Sequence, residues 1–269
     1  MENIMNRSWL LFRIQKVNYA VESKAVVSIL QEAGKVTPLP QSDPFVRGIM
    51  LLRGSIVPLL DLRLMLGLPT VEREYKEFVA MLDARKKDHL VWASELRRCA
   101  ETGQPFTLAD DPHKCAFGKW YDSFEPQNRT IAFHMRKIEE PHKELHDLAK
   151  YIEPRLKEGK TLQDDPDMAD KIEEMDERLV PNIVGLLDEA IEIFESSYRQ
   201  MVVTLEYQDE KFGLLVDEVD AVRTFEGGLG EAEPQAEKFG RLPYVDYVDE
   251  QLGIIRVMQL KDLFSVLKS

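Results

Sequence analysis

All five histidines and both cysteines of this 269-residue sequence lie between His89 and His146, a stretch of 58 residues; the other 211 contain none. Neutral imidazole and thiolate are the donors that a borderline-soft cation such as zinc takes. They fall in three blocks: His89-Leu-Val-Trp92, Cys115-Ala-Phe117-Gly118-Lys-Trp120 and His142-Lys-Glu-Leu-His146. On a helix, His142 and His146 share a face about 6 Å apart along the axis, within reach of one ion. His134 lies about 12 Å before His142 on the same axis, and Cys99 about 15 Å beyond His89 on its own helix. Each of those two is expected to be an ordinary packed or surface side chain. Cys115 stands in a broken segment whose backbone can adapt to a metal, and His113 is its rival. Paired with the Cys115 and His89 blocks, the two helical histidines read as a zinc site rather than as surface residues. Zinc proteases share the two-histidine spacing, but they place a glutamate directly after the first histidine as general base. Lys143 stands there, so no enzyme is expected.

These blocks need helices to carry them, and the pattern supplies them only in the middle of the chain. From Ser8 to about Leu66 short apolar runs follow closely, among them Trp9–Ile14, Ala25–Leu30, Phe45–Leu52 and Ile56–Asp61, which predicts strands of a small barrel or sandwich. From about Val71 the period becomes helical, through Tyr75, Phe78, Leu82, His89, Trp92 and Leu96, until Gly103 and Pro105. Residues 107–127 are broken. A second long helix is predicted over Arg129–Leu156, with Phe133, Ile138, Leu145, Leu148 and Ile152 on its stripe, a kink at Pro141 and a stop at Gly159. A third starts at Asp165-Pro166 and ends near Tyr198. Residues 164–178 hold eight acids and two bases, which reads as an exposed loop and acidic first turn; the spacing of a calcium loop is lacking.

Strands return from Met201. Gly227-Gly228-Leu229-Gly230 reads as a flexible loop, because no helix start follows it to cradle a phosphate. The closing run Leu260–Leu267 reads as a short helix or strand. The two β regions resemble each other: Tyr19-Ala-Val matches Phe212-Gly-Leu, and Ile56–Arg63 matches Ile254–Lys261, as in one duplicated unit. A domain interrupted in this way must bring its cut ends together, and a bundle whose first and last helices run antiparallel does so. The predicted division is 1–70, 71–198 and 199–269.

Composition bounds the function. A net charge of −13 repels phosphate backbones and anionic lipid, and no basic patch offsets it, so neither nucleic acid nor direct membrane insertion is expected. No apolar run approaches 18 residues and the first residues have no leader pattern, which predicts a cytoplasmic protein. In that reducing compartment, two cysteines sixteen residues apart suit a metal or redox role better than a disulfide.

The interrupted β region, about 8–68 and 199–267, resembles CheW, the chemotaxis coupling protein. The resemblance rests on Phe12, Tyr19-Ala-Val21, Phe45-Val-Arg-Gly48, Leu52-Arg53-Gly54-Ser-Ile-Val-Pro58-Leu-Leu-Asp61-Leu62 and Gly213-Leu-Leu-Val-Asp217-Glu-Val219. It implies a pair of five-stranded SH3-like barrels that link chemoreceptor cytoplasmic tips to the histidine kinase CheA, with Arg53 near the receptor groove. The second half departs from the pattern, with Gln259 where the first has Asp61. The insert resembles the chemoreceptor zinc-binding domain, CZB, whose signature has His-x-x-Trp, Cys-x-[Leu/Phe]-Gly-x-Trp and His-x-x-x-His in this order.

That resemblance implies zinc ligands at His89, Cys115, His142 and His146, a set that leaves no position for an activated water. Trp92, Phe117, Gly118 and Trp120 would surround them. The fold class so implied is an all-β CheW-like pair of barrels interrupted by a CZB-like α-helical bundle. CZB bundles often pair, so a homodimer is one assembly the resemblance allows. Zinc occupancy, or oxidation of Cys115 by hypochlorous acid, would modulate signalling; alternatively the zinc is purely structural.

Overall fold

In the computed structural model the described residues are 7–31, 34–40, 42–126, 129–197, 199–224, 230–231 and 244–268. The chain divides into two compact units, Met1–Glu74 with Tyr198–Ser269, and Tyr75–Ser197.

The first unit is built from β1 (Ser8–Ile14), β2 (Val17–Glu22), β3 (Val26–Leu30), β4 (Val46–Leu52) and β5 (Ser55–Asp61), then the short helix α1 (Leu62–Met65). It also includes the first turn of α2 (Val71–Thr102). The second unit takes the rest of α2, then α3 (Ala116–Tyr121), α4 (Arg129–Met135), α5 (Glu139–Lys157), α6 (Pro166–Glu174) and α7 (Val180–Ser197). The chain then returns to the first unit with β6 (Met201–Tyr207), β7 (Glu210–Val216), β8 (Glu218–Thr224), β9 (Gly230–Glu231), β10 (Tyr244–Asp249), β11 (Gly253–Met258) and α8 (Leu260–Val266).

The strand pairing carries the internal duplication further than sequence matching did. One sheet runs β8-β1-β2-β11-β10-β9 and the other β3-β6-β7-β5-β4. Each sheet therefore takes a hairpin from one half and its remaining strands from the other, four in the first sheet and three in the second: β1 pairs with β8 as β6 pairs with β3, and β2 lies parallel to β11 as β7 lies parallel to β5. Neither half makes a sheet alone. The two-residue β9 is one strand more than the five expected in that sheet. Residues 227–229 of the glycine-rich segment lie outside the described residues, and Gly230 begins β9.

This exchange explains why Trp9–Phe12 and Met201–Val203 are apolar runs without alternation. Leu10, Phe12, Ile14, Val203 and Leu205 belong to a core drawn from both sheets. The opposite faces fill a separate core in each sheet, Trp9 and Leu11 with Tyr247, Ile255 and Val257, and Val202 with Met50, Val57 and Leu59. A strand buried on both faces needs apolar residues at every position. Packing is close enough that a Cβ on Gly213, paired with Leu59 across β5 and β7, would sit 2.5 Å from the Leu59 side chain.

The topology also brings the ends of the insertion side by side. Asp61 at the end of β5 pairs with Leu215, and Met201 at the start of β6 pairs with Val216. Exit and return thus flank β7 at the same end, about 10 Å apart at the usual strand spacing.

Where the chain leaves, Arg63 of α1 is fully buried. Its Nε and Nη2 donate to Asp217 at 2.7 and 2.8 Å, and its Nη1 donates to Glu74. Asp217 also accepts from the Gln15 amide at 2.7 Å. These carboxylates, working against burial, hold the guanidinium firmly protonated. The pair joins the halves, since Arg63 follows β5 and Asp217 follows β7.

The helical unit mostly follows its sequence signals. Gly103 and Gly159 take φ +69° and +76° just beyond helix ends, and the Asp165 carboxylate accepts from the Met168 amide to start α6. The helix expected over Arg129–Leu156 is instead interrupted by a 3-10 turn at Arg136–Ile138. Pro141 has no N–H for the Lys137 carbonyl, and its ring crowds that group, so the break falls before the proline. Phe133, expected on the buried stripe, is consequently 69% exposed. A single π turn over Met175–Leu179 joins α6 to α7 ahead of Pro181, which likewise cannot donate to Glu177.

Replacing Arg63 by Met should lower the unfolding free energy in urea by about 1–3 kcal/mol, because the half-buried Asp217 carboxylate loses both of its guanidinium hydrogen bonds. A loss under 1 kcal/mol would mean that the pair is not a main tie between the halves.

Candidate metal centre

The candidate donors reach the site from three elements, α2, α3 and α5. His89 is buried on α2, and its Nδ1 lies 3.0 Å from the Arg85 carbonyl one turn earlier. A carbonyl only accepts, so Nδ1 carries the proton and the Nε2 lone pair faces inward. That Nε2 is buried and has no hydrogen-bond partner among the described residues. Cys115 is the N-cap residue of α3, and its sulfur accepts from the Gly118 amide at 3.1 Å. His142 and His146 stand one turn apart on α5 with ring centres 4.7 Å apart.

The donor atoms of His89, Cys115 and His142 all lie within 4.8 Å of one another, and Cys115 Sγ is 3.3 Å from His142 Nε2. Two ligands on a tetrahedral zinc at its usual bond lengths sit roughly 3.3–3.8 Å apart, so this spacing fits a shared ion. His146 lies beside the group without meeting the same mutual distance. Its Nδ1 is nevertheless buried with no hydrogen-bond partner among the described residues.

Burial decides the protonation of these groups. Desolvation is the largest influence on His142, reinforced by His89 and His146, and takes it down to about 2. It takes His146 to about 4 with help from His89, while the main chain of Ala109 and Asp110 opposes the shift. His89 is lowered by the same cause, against its bond to Arg85. Burial pushes the Cys115 thiol up, opposed by the amides of Gly118 and Phe117. Neutral imidazoles are the donor state zinc requires, whereas the thiol must give up its proton on binding, which the Gly118 and Phe117 amides favour.

Aromatic packing holds the rings. Phe117 is fully buried and meets His89 and His142 edge-on at 4.7 and 4.8 Å. Trp92 packs 4.7 Å from His146 and donates from Nε1 to the Ala109 carbonyl at 2.9 Å. Trp120 stands further out: it packs on Phe117 and Phe124, and no imidazole is among its aromatic neighbours.

Gly118 has a reason that spacing could not show. A Cβ there would lie 1.7 Å from the Pro112 carbonyl oxygen, so only glycine lets the 112–113 backbone cross α3. That crossing fixes the loop carrying Cys115.

The rival donors are elsewhere. His113 is 72% exposed and faces Asp122 at 3.0 Å. His134 meets the Leu186 carbonyl at 2.7 Å, and Cys99 is buried near Glu95 and the Pro105 carbonyl. Sequence reasoning missed Arg85, whose carbonyl fixes His89 and whose Nη1 donates to the Ala116 carbonyl at 2.9 Å. It also missed Tyr121, stacked on Phe117. Arg85 was open to inference, being one helical turn before His89; Tyr121 gave no comparable signal. In the β unit, Arg53 is exposed at the β4–β5 turn with φ +50°, followed by Gly54 at +82°.

Comparison with known proteins agrees with both resemblances. The family model described as the chemoreceptor zinc-binding domain, CZB, matches residues 89–152, and the one described as the CheW-like domain matches residues 8–98. The chemotaxis protein CheW of Thermotoga maritima is 36% identical over 62 residues, 23% of this chain and 39% of that protein. The match thus spans about two fifths of the relative's length. The scaffolding protein TtCheW from Thermoanaerobacter tengcongensis aligns over 95% of this chain and 90% of its own, with a TM-score of 0.42 and 12% identity. The chain is thus similar to a CheW-like domain over residues 8–98 and to a CZB domain over residues 89–152, and the second β half, outside the matched residues, enters the two sheets through strand pairing.

Two outcomes follow from this packing. Gly118→Ala should weaken zinc binding about 10–100-fold, as loss of a supporting group does; unchanged affinity in a competition titration would refute that role. The second concerns acid. Each imidazole titrates near 6.5 when unfolded, so between pH 6.5 and about 4 the unfolded chain binds more protons than the folded one. The stability involved is whole above pH 6.5 and falls below it by up to about 1.4 kcal/mol per pH unit for each histidine. Chelator-treated protein should lose stability over that window in urea titrations, and His142→Gln with His146→Gln should flatten the loss. An equally steep loss in the double variant would contradict this account.

Proposed function

We propose that the chain is a chemotaxis adaptor whose CheW-like unit couples chemoreceptor cytoplasmic tips to CheA, and whose helical unit binds one zinc through His89, Cys115, His142 and His146. The observation that carries the reading is the convergence of three buried donors in a helical unit whose chain leaves and re-enters the CheW-like unit through the two strands that flank β7. The unpartnered Nδ1 of His146 supports its place as the fourth ligand. Arg53, exposed on a turn, suits a receptor-facing role. Among the described residues no helix is long and apolar enough to cross a membrane, in keeping with a cytoplasmic adaptor.

Zinc, when bound, supplies a positive charge that keeps the Cys115 sulfur as thiolate. The protein's own part is to hold that sulfur beside the Gly118 amide and to hold the imidazoles neutral. Thiolate is the oxidisable form: attack on hypochlorous acid gives sulfenic acid and releases chloride. Loss of the thiolate weakens the ligand set, and the state of α2 then changes in the CheW-like unit's first turn of helix. Four protein ligands leave no place for a reacting water, so the reading is non-enzymatic. The second reading, a purely structural ion, is favoured by that same closure. Pairing into a homodimer is compatible with either.

Metal analysis of the purified protein should give one zinc per chain, lost in both Cys115→Ala and His142→Ala. In a reconstituted receptor and kinase array, zinc removal, oxidant and Cys115→Ala should each change kinase output. If the untreated protein carries its zinc and none of the three changes output, the modulating role is wrong and the structural one stands.

A further inference from the structure

The two repeats differ where the insertion leaves. In the second half Lys261 is exposed and Gln259 makes no side-chain cap, whereas in the first Arg63 is fully buried and Asp61 caps α1 through the Leu64 amide. Arg63 has partners of two kinds. Asp217 takes Nε and Nη2, which ties the halves; Nη1 meets Glu74 and, at 3.4 Å, the Pro69 carbonyl. Two residues before Glu74, Glu72 accepts from Arg47 of β4 at 2.5 Å. Both acids stand in the first turn of α2, the same helix that carries His89 fifteen residues later.

We propose that Glu74 is the positioning residue through which the β unit registers the state of α2. This rests on the reading that metal occupancy modulates the adaptor. The ion pair to Arg63 exists only while the first turn is wound, because unwinding moves the Glu74 carboxylate away from a guanidinium fixed by Asp217. Winding is cooperative along a helix, so whatever holds His89 opposes fraying of the whole element, its root included. Arg63 keeps Asp217 when Glu74 leaves, and the halves stay joined. What changes is the charge balance of a buried guanidinium, from two carboxylates to one, at the junction of β5, α1 and β7. Lys261, exposed in the other half, has no such exchange to make.

The test is hydrogen exchange on the full chain with and without zinc, reading amides of the first turn of α2 and of residues 214–217 at the end of β7, alongside zinc affinity. In the wild type, zinc should raise protection at both places about 5-fold or more, the lower end of ordinary coupling. In Glu74→Gln the rise at 214–217 should vanish while amides around His89 still respond, and zinc affinity should fall by the lost factor, as reciprocity requires. Glu74→Asp, which keeps the charge, should restore part of the response. A full response in Glu74→Gln, or an equal loss in Glu74→Asp, overturns the role of Glu74. If zinc binds but protects no β-unit amide even in the wild type, it is the modulating function that fails.

Discussion

Desolvated lone pairs set the terms for the helical unit. The donors of His89, Cys115 and His142 meet where water does not solvate them, and His89 Nε2 has no hydrogen bond to replace it among the described residues. Burying such atoms unpaired costs free energy, and a protein normally avoids it by pairing them or by placing an ion among them. The features around the cluster serve that arrangement. The Arg85 carbonyl takes the one proton His89 carries, Phe117 wedges two imidazoles, and Gly118 allows the backbone crossing that fixes Cys115. The low proton affinity of His142 and His146 is the electrostatic face of the same desolvation.

The β unit explains why such an insertion is tolerated. Because each sheet mixes strands of both halves, the second half cannot be lost or displaced without dismantling the first. Yet the cut falls between β5 and β6, whose cut ends flank β7 at one end of the sheet, so an insertion there breaks no pairing. Any inserted domain with adjacent termini satisfies this constraint, and a helical bundle does so cheaply.

Much of this was legible in the residues, for identifiable reasons. Strand runs, helix stops at Gly103 and Gly159, the cap at Asp165 and the internal repeat are local signals, and local physics decided them. The convergence of His89, Cys115 and His142 was legible because a shared site needs particular donor types on particular turns. Exclusion of His113, by contrast, depended on its facing Asp122 in three dimensions. Likewise the strand exchange, the buried Arg63 and the clash that reserves position 118 for glycine are long-range facts. The Pro141 break was misjudged because a proline acts on the carbonyl four residues earlier, which moves the discontinuity off the proline itself.

The division of labour between packing and metal bears on the choice between a sensory and a structural ion. A small metallo-domain that depends on its ion has little else to bury. Here Leu82, Leu96, Ile131, Leu145, Ile152, Ile183 and Leu187 are fully buried without being ligands, and Phe78 stacks on Phe194 between α2 and α7. The ligand geometry is itself organised by groups of the chain: a carbonyl for the His89 tautomer, an amide for the sulfur, a phenyl ring between imidazoles. A helical unit with its own core, and donors preset by that core, has the means to stay folded whether or not a metal occupies the cluster. That property is required of a unit that reports occupancy, and superfluous in one that merely needs an ion to fold.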